Sequence, residues 1–285
     1  MYGIHRFQKH GINLLTKGVL SVWFGAAVLL PWIIPIFTLP APGGPYTVGT
    51  EMFYWVDSTR AEWFTDEDQN DVRELIVQIW YPSEINIDEK PEPYLDFIDI
   101  RAKTLASAGA IPEFFPSHLK YINTNSYKGL EIVNLEKSFP VVVFSHGITG
   151  TRHLHQALYE HLVSRGYIVV APDHSFDANL TIFPDGHVAD YRSDLTGNPD
   201  SGRVRKMQMS TRVADISFIL NQLEKMQSGE IKSQINEKID LERIAVGGHS
   251  YGGSTVTVAS QRDKRINACF VLDSWISPIP QETID

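Results

Sequence analysis

The stretch Arg243 to Ala259, RIAVGGHSYGGSTVTVA, constrains this chain more than any other. An apolar run, Ile244 to Val246, leads into Gly247 and Gly248. His249, Ser250 and Tyr251 follow, then Gly252, Gly253 and a run of small residues suited to a helix. The core is G-x-S-x-G, formed by Gly248, Ser250 and Gly252. A strand that turns this sharply into a helix holds the residue at its tip in a strained conformation that exposes the side chain. Glycines two residues to either side leave room for the backbones to approach. Ser250 Oγ would then sit at a helix N-terminus, where free N–H groups and the dipole favour developing negative charge. The bland alternative is a glycine-rich turn with a capping serine. The apolar strand before it, the small residues after it and a second motif upstream favour the elbow.

That second motif ends Pro140 to Ser145, PVVVFS, a continuous apolar run of the kind buried on both faces of a parallel sheet. It breaks into His146-Gly147-Ile148-Thr149-Gly150. Thr151 to Arg165 carries Leu154, Leu158 and Leu162 at helical spacing, and Gly166 stops it. Tyr167 to Ala171 is another apolar strand, followed by Pro172-Asp173-His174 and a polar loop, 177–198. Arg203 to Gln227 predicts a long helix with Val213, Ile216, Ile219, Leu220 and Leu223 on its core side. Asn267 to Leu272, NACFVL, predicts one more buried strand, ending at Asp273. Upstream, Met52–Val56 and Leu75–Tyr81 read as strands, and Phe97–Ala110 as a helix. The alternation gives an α/β fold, a mostly parallel sheet with helices on both faces. In such sheets ligands bind beyond the carboxyl ends of the strands. Three suggestive clusters fall there: His146-Gly147-Ile148, Ser250 and Asp273.

A serine hydroxyl becomes a nucleophile when a base takes its proton and donors stabilise the oxyanion. The donors expected here are the backbone N–H groups of Tyr251 and Ile148. Gly147, Gly248 and Gly252 provide the close backbone approach, and His146 holds the turn by hydrogen bonds. Asp273 would orient the base; its alternative role is to cap a turn at a strand end. His174 is expected to shape the loop entrance. His153 and His155, two residues apart on a helix, would not face the same way, so no metal site is expected.

From Gly18 to Thr50 the sequence has no charged residue, and Val19 to Phe37 is rich in Leu, Ile, Val, Trp and Phe. A bilayer core needs about 20 apolar residues, so residues 18–38 are expected to form a transmembrane anchor. Arg6, Lys9 and Lys17 precede it. The positive-inside rule then places residues 1–17 in the cytoplasm and the body of the chain outside, as a single-pass membrane protein. A cleaved signal, giving a secreted protein, and a packed or interfacial helix are the alternatives. Residues 39–50, LPAPGGPYTVGT, read as a linker, and 51–285 as the folded domain. Within it, 83–138 is irregular, either a surface excursion or a cap over an apolar acyl site.

Composition narrows the function classes. A net charge of −9 without a basic run argues against nucleic acid as a partner. The single cysteine, Cys269, excludes an intrachain disulfide and a Cys-based zinc site, and is expected to pack as a small core residue. Oligomeric state is not legible.

The sequence resembles the plasma-type platelet-activating-factor acetylhydrolases and their bacterial relatives, within the α/β-hydrolase superfamily. The resemblance rests on VVVFSHGITGTRHLHQALYEHLVSRGYIVVAPDH (Val141 to His174), VGGHSYGGSTV (Val246 to Val256), FVLDSW (Phe270 to Trp275), LPAPGGPYTVGT and ELIVQIWYP. It covers most of the chain from Leu39 onward. It implies an α/β-hydrolase fold and calcium-independent hydrolysis of carboxylic esters, often short or oxidised acyl chains on phospholipids, with no cofactor. Ser250 would be the nucleophile, Asp273 the acid member, and Ile148 and Tyr251 the oxyanion donors.

One departure stands out. The family's catalytic histidine follows the aspartate, whereas the last histidine here is His249, before Ser250. By the resemblance His249 is not the base. The expectation is a hydrolase incomplete at its C-terminus, with the catalytic histidine absent from this chain. Two rivals remain: another carboxylesterase of the same fold, such as a polyester or dienelactone-type hydrolase, and a catalytically dead, membrane-tethered binding protein.

Overall fold

Three of the apolar runs become the parallel heart of one sheet. In the computed structural model, which describes residues 13–33, 36–65, 68, 70–84 and 90–280, these are β5 (Phe139–Ser145), β6 (Ile168–Asp173) and β9 (Ile239–His249). β5 pairs in parallel with both β6 and β9, and β10 (Ile266–Leu272) extends the parallel block on β9. Ahead of them, β1 (Thr47–Ala61) and β2 (Val72–Ser83) form a long antiparallel hairpin, and β2 joins β6 antiparallel. Two short strands, β3 (Pro91–Pro93) and β4 (Asn123–Lys128), complete an eight-stranded sheet in the order β10-β9-β5-β6-β2-β1-β4-β3. β7 (Leu180–Ile182) and β8 (Val188–Asp190) form a separate two-stranded hairpin within the polar loop.

Side chains alternate across this sheet into two apolar layers, as the pleat requires. Val141, Val143, Ile168 and Val170 face Met209, Val213, Ile216, Ile219, Leu220 and Leu223 of α5 (Ser201–Gln227) and Tyr251, Val256 and Val258 of α6 (Tyr251–Arg262). Val142, Phe144, Val169 and Ala171 face Tyr159 and Val163 of α4 (Gln156–Ser164). The fold is thus the expected α/β arrangement. Among the described residues the remaining α-helices are α1 (Leu14–Ile33), α2 (Ile98–Gly109) and the short α3 (Phe114–Ser117).

The expected membrane anchor is overturned. No helix among the described residues is long and apolar enough to cross a membrane. Helix α1 starts at Leu14, so its first turn includes Thr16 and Lys17. Its uncharged part, Gly18 to Ile33, is 16 residues (33 − 18 + 1). At about 1.5 Å per residue that reaches about 24 Å, against a hydrocarbon core of about 30 Å. The single-pass topology, and the membrane as a partner through this helix, fall with the span. Residues 1–12 and 34–35 of the proposed topology lie outside the described residues. The chain divides into two units, Met1–Phe37 and Thr38–Asp285.

One further expectation changes, that of a buried last strand carrying a core cysteine. β10 is an edge strand and is exposed over most of its length, with Val271 and Leu272 44% and 38% accessible. Cys269 on it is exposed, not packed in the core. A run that reads as buried on both faces is here half covered, because β9 is its one neighbour in the sheet order. The irregular segment 83–138 contributes β4, five strand positions from β9, or about 24 Å at about 4.8 Å per strand, and β3 beyond it at the opposite edge.

Candidate active site

Ser250 lies between β9 and α6 at φ 52°, ψ −120°, a conformation that L residues rarely adopt. Contacts on both sides impose it. A Cβ on Gly248 would overlap the carbonyl of Gly252 and stand 2.7 Å from Gly253 N. A Cβ on Gly252 would overlap the Ser145 carbonyl and stand 2.6 Å from His146 O. Strand end, elbow and first helical turn are therefore stacked directly on the end of β5. Ser250 N donates to Leu272 O at 3.0 Å, and Trp275 N donates to Ser250 O at 3.1 Å. These bonds pin 272–275, with Asp273 between them, to the elbow backbone. Asp273 itself has φ 47° and is exposed.

The His146-Gly147-Ile148 turn comes to the same place. A Cβ on Gly147 would lie 3.2 Å from Ser250 Cβ and 3.2 Å from His249 Nδ1. Gly147 therefore passes the Ser250 side chain closely, and Ile148 follows it. Gly150 N closes the turn on Gly147 O at 3.0 Å, and Thr149, at φ 56°, donates its N–H to Asp177 O at 3.2 Å. On the other side of Ser250, Tyr251 opens α6, whose first N–H groups have no carbonyl behind them. The Tyr251 ring is buried, and burial pushes its hydroxyl up to about 12. Of the residues expected at the site, Ser250, Tyr251, Gly147, His146, Gly248 and Gly252 meet around one point. Asp273 is tied to it through the backbone.

His146 is fully enclosed. Its Nε2 accepts from His174 N at 3.1 Å, so its proton is on Nδ1, which lies 2.7 Å from Gly147 O. Burial, then the nearby Arg212 and His174, hold its pKa well below the ordinary range, so it is a neutral prop of the turn. His174 is not at a loop entrance. It is buried inside a hydrogen-bonded series that the sequence reading did not identify. Its Nδ1 lies 2.8 Å from Asp215 Oδ2, and its Nε2 lies 2.9 Å from Ser145 Oγ. With the carboxylate accepting, Nδ1–H donates and Nε2 takes the Ser145 proton. Burial and Arg212 lower His174 to about 4. Ser145, His174 and Asp215 have the bonding pattern of a hydrolytic triad, yet all three are fully enclosed. Both His174 nitrogens are engaged, so this series does not supply a base to Ser250.

Asp215 is crowded with cations. Arg73 grips it through Nε at 3.1 Å and Nη2 at 2.7 Å, and Arg60 Nη1 adds a contact at 2.9 Å. Burial works to raise its carboxyl, but Arg73 and His174 override that and hold it far below the usual carboxylate range. Arg212 completes the series, donating from Nη2 to Ser145 Oγ at 3.1 Å and also to His146 O. A signal for these residues was present in the sequence. Gln208, Arg212, Asp215 and Ile219 fall at i, i+4, i+7 and i+11, so polar side chains interrupt the apolar face of α5.

Comparison with known proteins follows the same geometry. The family model described as platelet-activating factor acetylhydrolase, isoform II, matches residues 35–285. Platelet-activating factor acetylhydrolase of Cavia porcellus is 26% identical, over 98% of this chain and 65% of its own length. A probable 1-alkyl-2-acetylglycerophosphocholine esterase of Arthroderma benhamiae is 25% identical, over 92% of this chain and 65% of its own. The chain thus spans just under two thirds of the length of these curated relatives. Among solved structures, a ferulic acid esterase from Streptomyces cinnamoneus superposes with a TM-score of 0.63 and is 27% identical, over 81% of this chain and 60% of that one. With that family model covering residues 35–285, the chain belongs to the platelet-activating factor acetylhydrolase, isoform II, family.

Proposed function

We propose that this chain carries the nucleophile and oxyanion site of a serine hydrolase acting on carboxylic esters, with short-acyl glycerophospholipids as the substrate class. The observation that carries this reading is the strained Ser250 at the mouth of α6, with Gly147 against its Cβ. Residues 51–285 form the hydrolase domain in this reading, and 39–50 lead into it.

Ser250 Oγ attacks the ester carbonyl carbon as its proton passes to the general base, which later returns that proton to the leaving alcohol oxygen. The carbonyl oxygen takes the negative charge and is met by the N–H groups of Ile148 and Tyr251. Such donors act on charge that develops in the transition state. Collapse breaks the carbon–oxygen bond, and the alcohol leaves with a proton. Water then hydrolyses the acyl-Ser250 ester and restores the hydroxyl. Asp273 is the acid member that would orient the base. The base is not assigned to a residue of this chain, because the last histidine is His249. The names of the relatives support the substrate class.

The test is covalent labelling with a fluorophosphonate, together with hydrolysis of p-nitrophenyl acetate and p-nitrophenyl palmitate. Labelling of the wild-type chain, lost in Ser250→Ala, and a preference for the acetate are expected. A wild-type chain that is neither labelled nor active would overturn the enzymatic reading and leave a binding scaffold.

A further inference from the structure

The side chain that links the two halves of the oxyanion site is Arg212. It lies on α5, is 1% exposed, and its guanidinium reaches four groups. Nη2 donates to His146 O, at the start of the 146–150 turn, and to Ser145 Oγ at 3.1 Å. Nη1 faces Asp177 Oδ2 at 3.3 Å. Asp177 in turn accepts Thr149 N–H on its backbone oxygen, near the far end of the same turn. Finally, the guanidinium carbon stands over the Tyr251 ring, 5.3 Å from its centroid. One planar cation therefore holds the start of the turn that presents Ile148 directly, its far end through Asp177, and faces the side chain of the residue that presents the second N–H.

We propose that Arg212 is the positioning residue that sets the spacing of the Ile148 and Tyr251 N–H donors. This rests on the reading of Ser250 and its two donors given above. Several features make the arrangement specific. The bonding order is directional: Arg212 Nη2–H to Ser145 Oγ, Ser145 O–H to His174 Nε2, and His174 Nδ1–H to Asp215. Asp215 is anchored by Arg73 and Arg60. The arginine is thus braced from behind, and the turn cannot shift without breaking a buried, charge-assisted bond. A lysine in its place carries the charge but lacks the fork that spans His146 O, Ser145 Oγ and Asp177 at once. Arg212 touches neither substrate nor the reacting atoms. Its effect is on geometry, and a displacement of about 1 Å in such a site costs about 100-fold in rate.

The test compares Arg212→Lys and Arg212→Met with the wild-type chain by two readouts. The first is kcat and KM for p-nitrophenyl acetate, with the rate of fluorophosphonate labelling. The second is hydrogen exchange of the peptide containing residues 146–150, measured against all other peptides. In Arg212→Lys, kcat and the labelling rate are expected to fall about 10- to 100-fold with KM within about twofold, because the lost interaction is made in the transition state. Exchange in 146–150 should rise while the remaining sheet peptides are unchanged. A merely structural arginine would instead speed exchange throughout the sheet. Arg212→Met, which also leaves Asp177 uncompensated, should amplify the local effect if it folds; Arg212→Lys decides the matter if it does not. Unchanged exchange in 146–150, or an unchanged kcat, would overturn the proposal. If the wild-type chain shows no hydrolysis and no labelling, it is the reading of Ser250 that fails. Exchange alone then decides whether Arg212 holds the turn.

Discussion

Gly252 lies so close to Ser145 that a Cβ on it would overlap the Ser145 carbonyl oxygen, with His146 O only 2.6 Å away. This contact seats the first turn of α6 on the end of β5 and brings the elbow to the 146–148 turn. Both obstructing atoms are backbone, so no rotamer change relieves the clash. Gly252→Ala is expected to cost about 3 kcal/mol or more, above the middle of the range for overpacking. Gly202, near the start of α5, has nothing within 4 Å of its would-be Cβ. Gly202→Ala should stabilise by about 0.5 kcal/mol through helix propensity. Urea denaturation of the two variants checks the contrast. A Gly252→Ala protein as stable as Gly202→Ala would mean that the elbow does not sit on β5 this closely.

Ser250 gives a second stability prediction that does not depend on turnover. Its φ of 52° with ψ of −120° costs an L residue about 1–3 kcal/mol, whether the side chain is serine or alanine. Glycine adopts that region freely but adds about 0.4–1 kcal/mol of unfolded-state entropy to be overcome. Ser250→Gly should therefore be more stable than Ser250→Ala by about 1 kcal/mol, visible as a higher Tm. Equal melting of the two variants would show that the elbow carries no strain.

Much of this frame is legible in the amino-acid sequence. Continuous apolar runs at 140–145 and 167–171 became β5 and β6, because a strand buried on both faces needs no alternation. The elbow was legible because its glycines answer to backbone contacts two residues away. What could not be read depends on partners distant in sequence. The helix expected from Thr151 starts at Gln156 instead. Arg152, just before it, is drawn to the carboxylates of Asp173 and Asp96, with its own N–H on Asp173 Oδ1 at 2.8 Å. Arg73 and Asp215 are 142 positions apart, and neither residue alone announces the other. β10 misled for a related reason. Its apolar run fits a buried strand, and only the sheet order places it at an edge.

The Arg73–Asp215 pair supports a third prediction. Arg73 is 1% exposed and bonds Glu62 Oε2 at 2.7 Å and Ser175 O at 2.9 Å, besides its two contacts with Asp215. Removing one member of such a buried pair strands the other, at a cost of about 3–5 kcal/mol. Arg73→Met is expected to destabilise by that amount. Combined with Asp215→Asn, the total should fall short of the sum of the single changes by about 1–3 kcal/mol. A double-mutant cycle by chemical denaturation measures this. Additive effects would show that the two groups do not share one network.

The buried histidines set the pH dependence of stability. Burial, with Arg212 beside one and Arg152 beside the other, lowers both His174 and His153 to about 4. In the unfolded chain an imidazole titrates near about 6.5. Between these values the unfolded chain binds protons that the folded chain refuses, so stability falls as pH falls from about 6.5 towards 4. Each histidine contributes a slope of about 1.4 kcal/mol per pH unit, on the order of 3 kcal/mol across the window. His146, held low by the same burial, acts in the same direction. Asp215, whose carboxyl is held far below its ordinary range, adds a further loss only below about pH 4. Urea midpoints at pH 7.5, 6, 5 and 4.5 should therefore show little change above neutrality and a steep decline below about 6. In His174→Gln the decline should be shallower by about one proton's slope, although the variant is less stable at pH 7.5. A wild-type profile that is flat from pH 7.5 to 4.5 would mean that these imidazoles protonate in the folded chain, and that the series from Arg212 to Asp215 is not held as described.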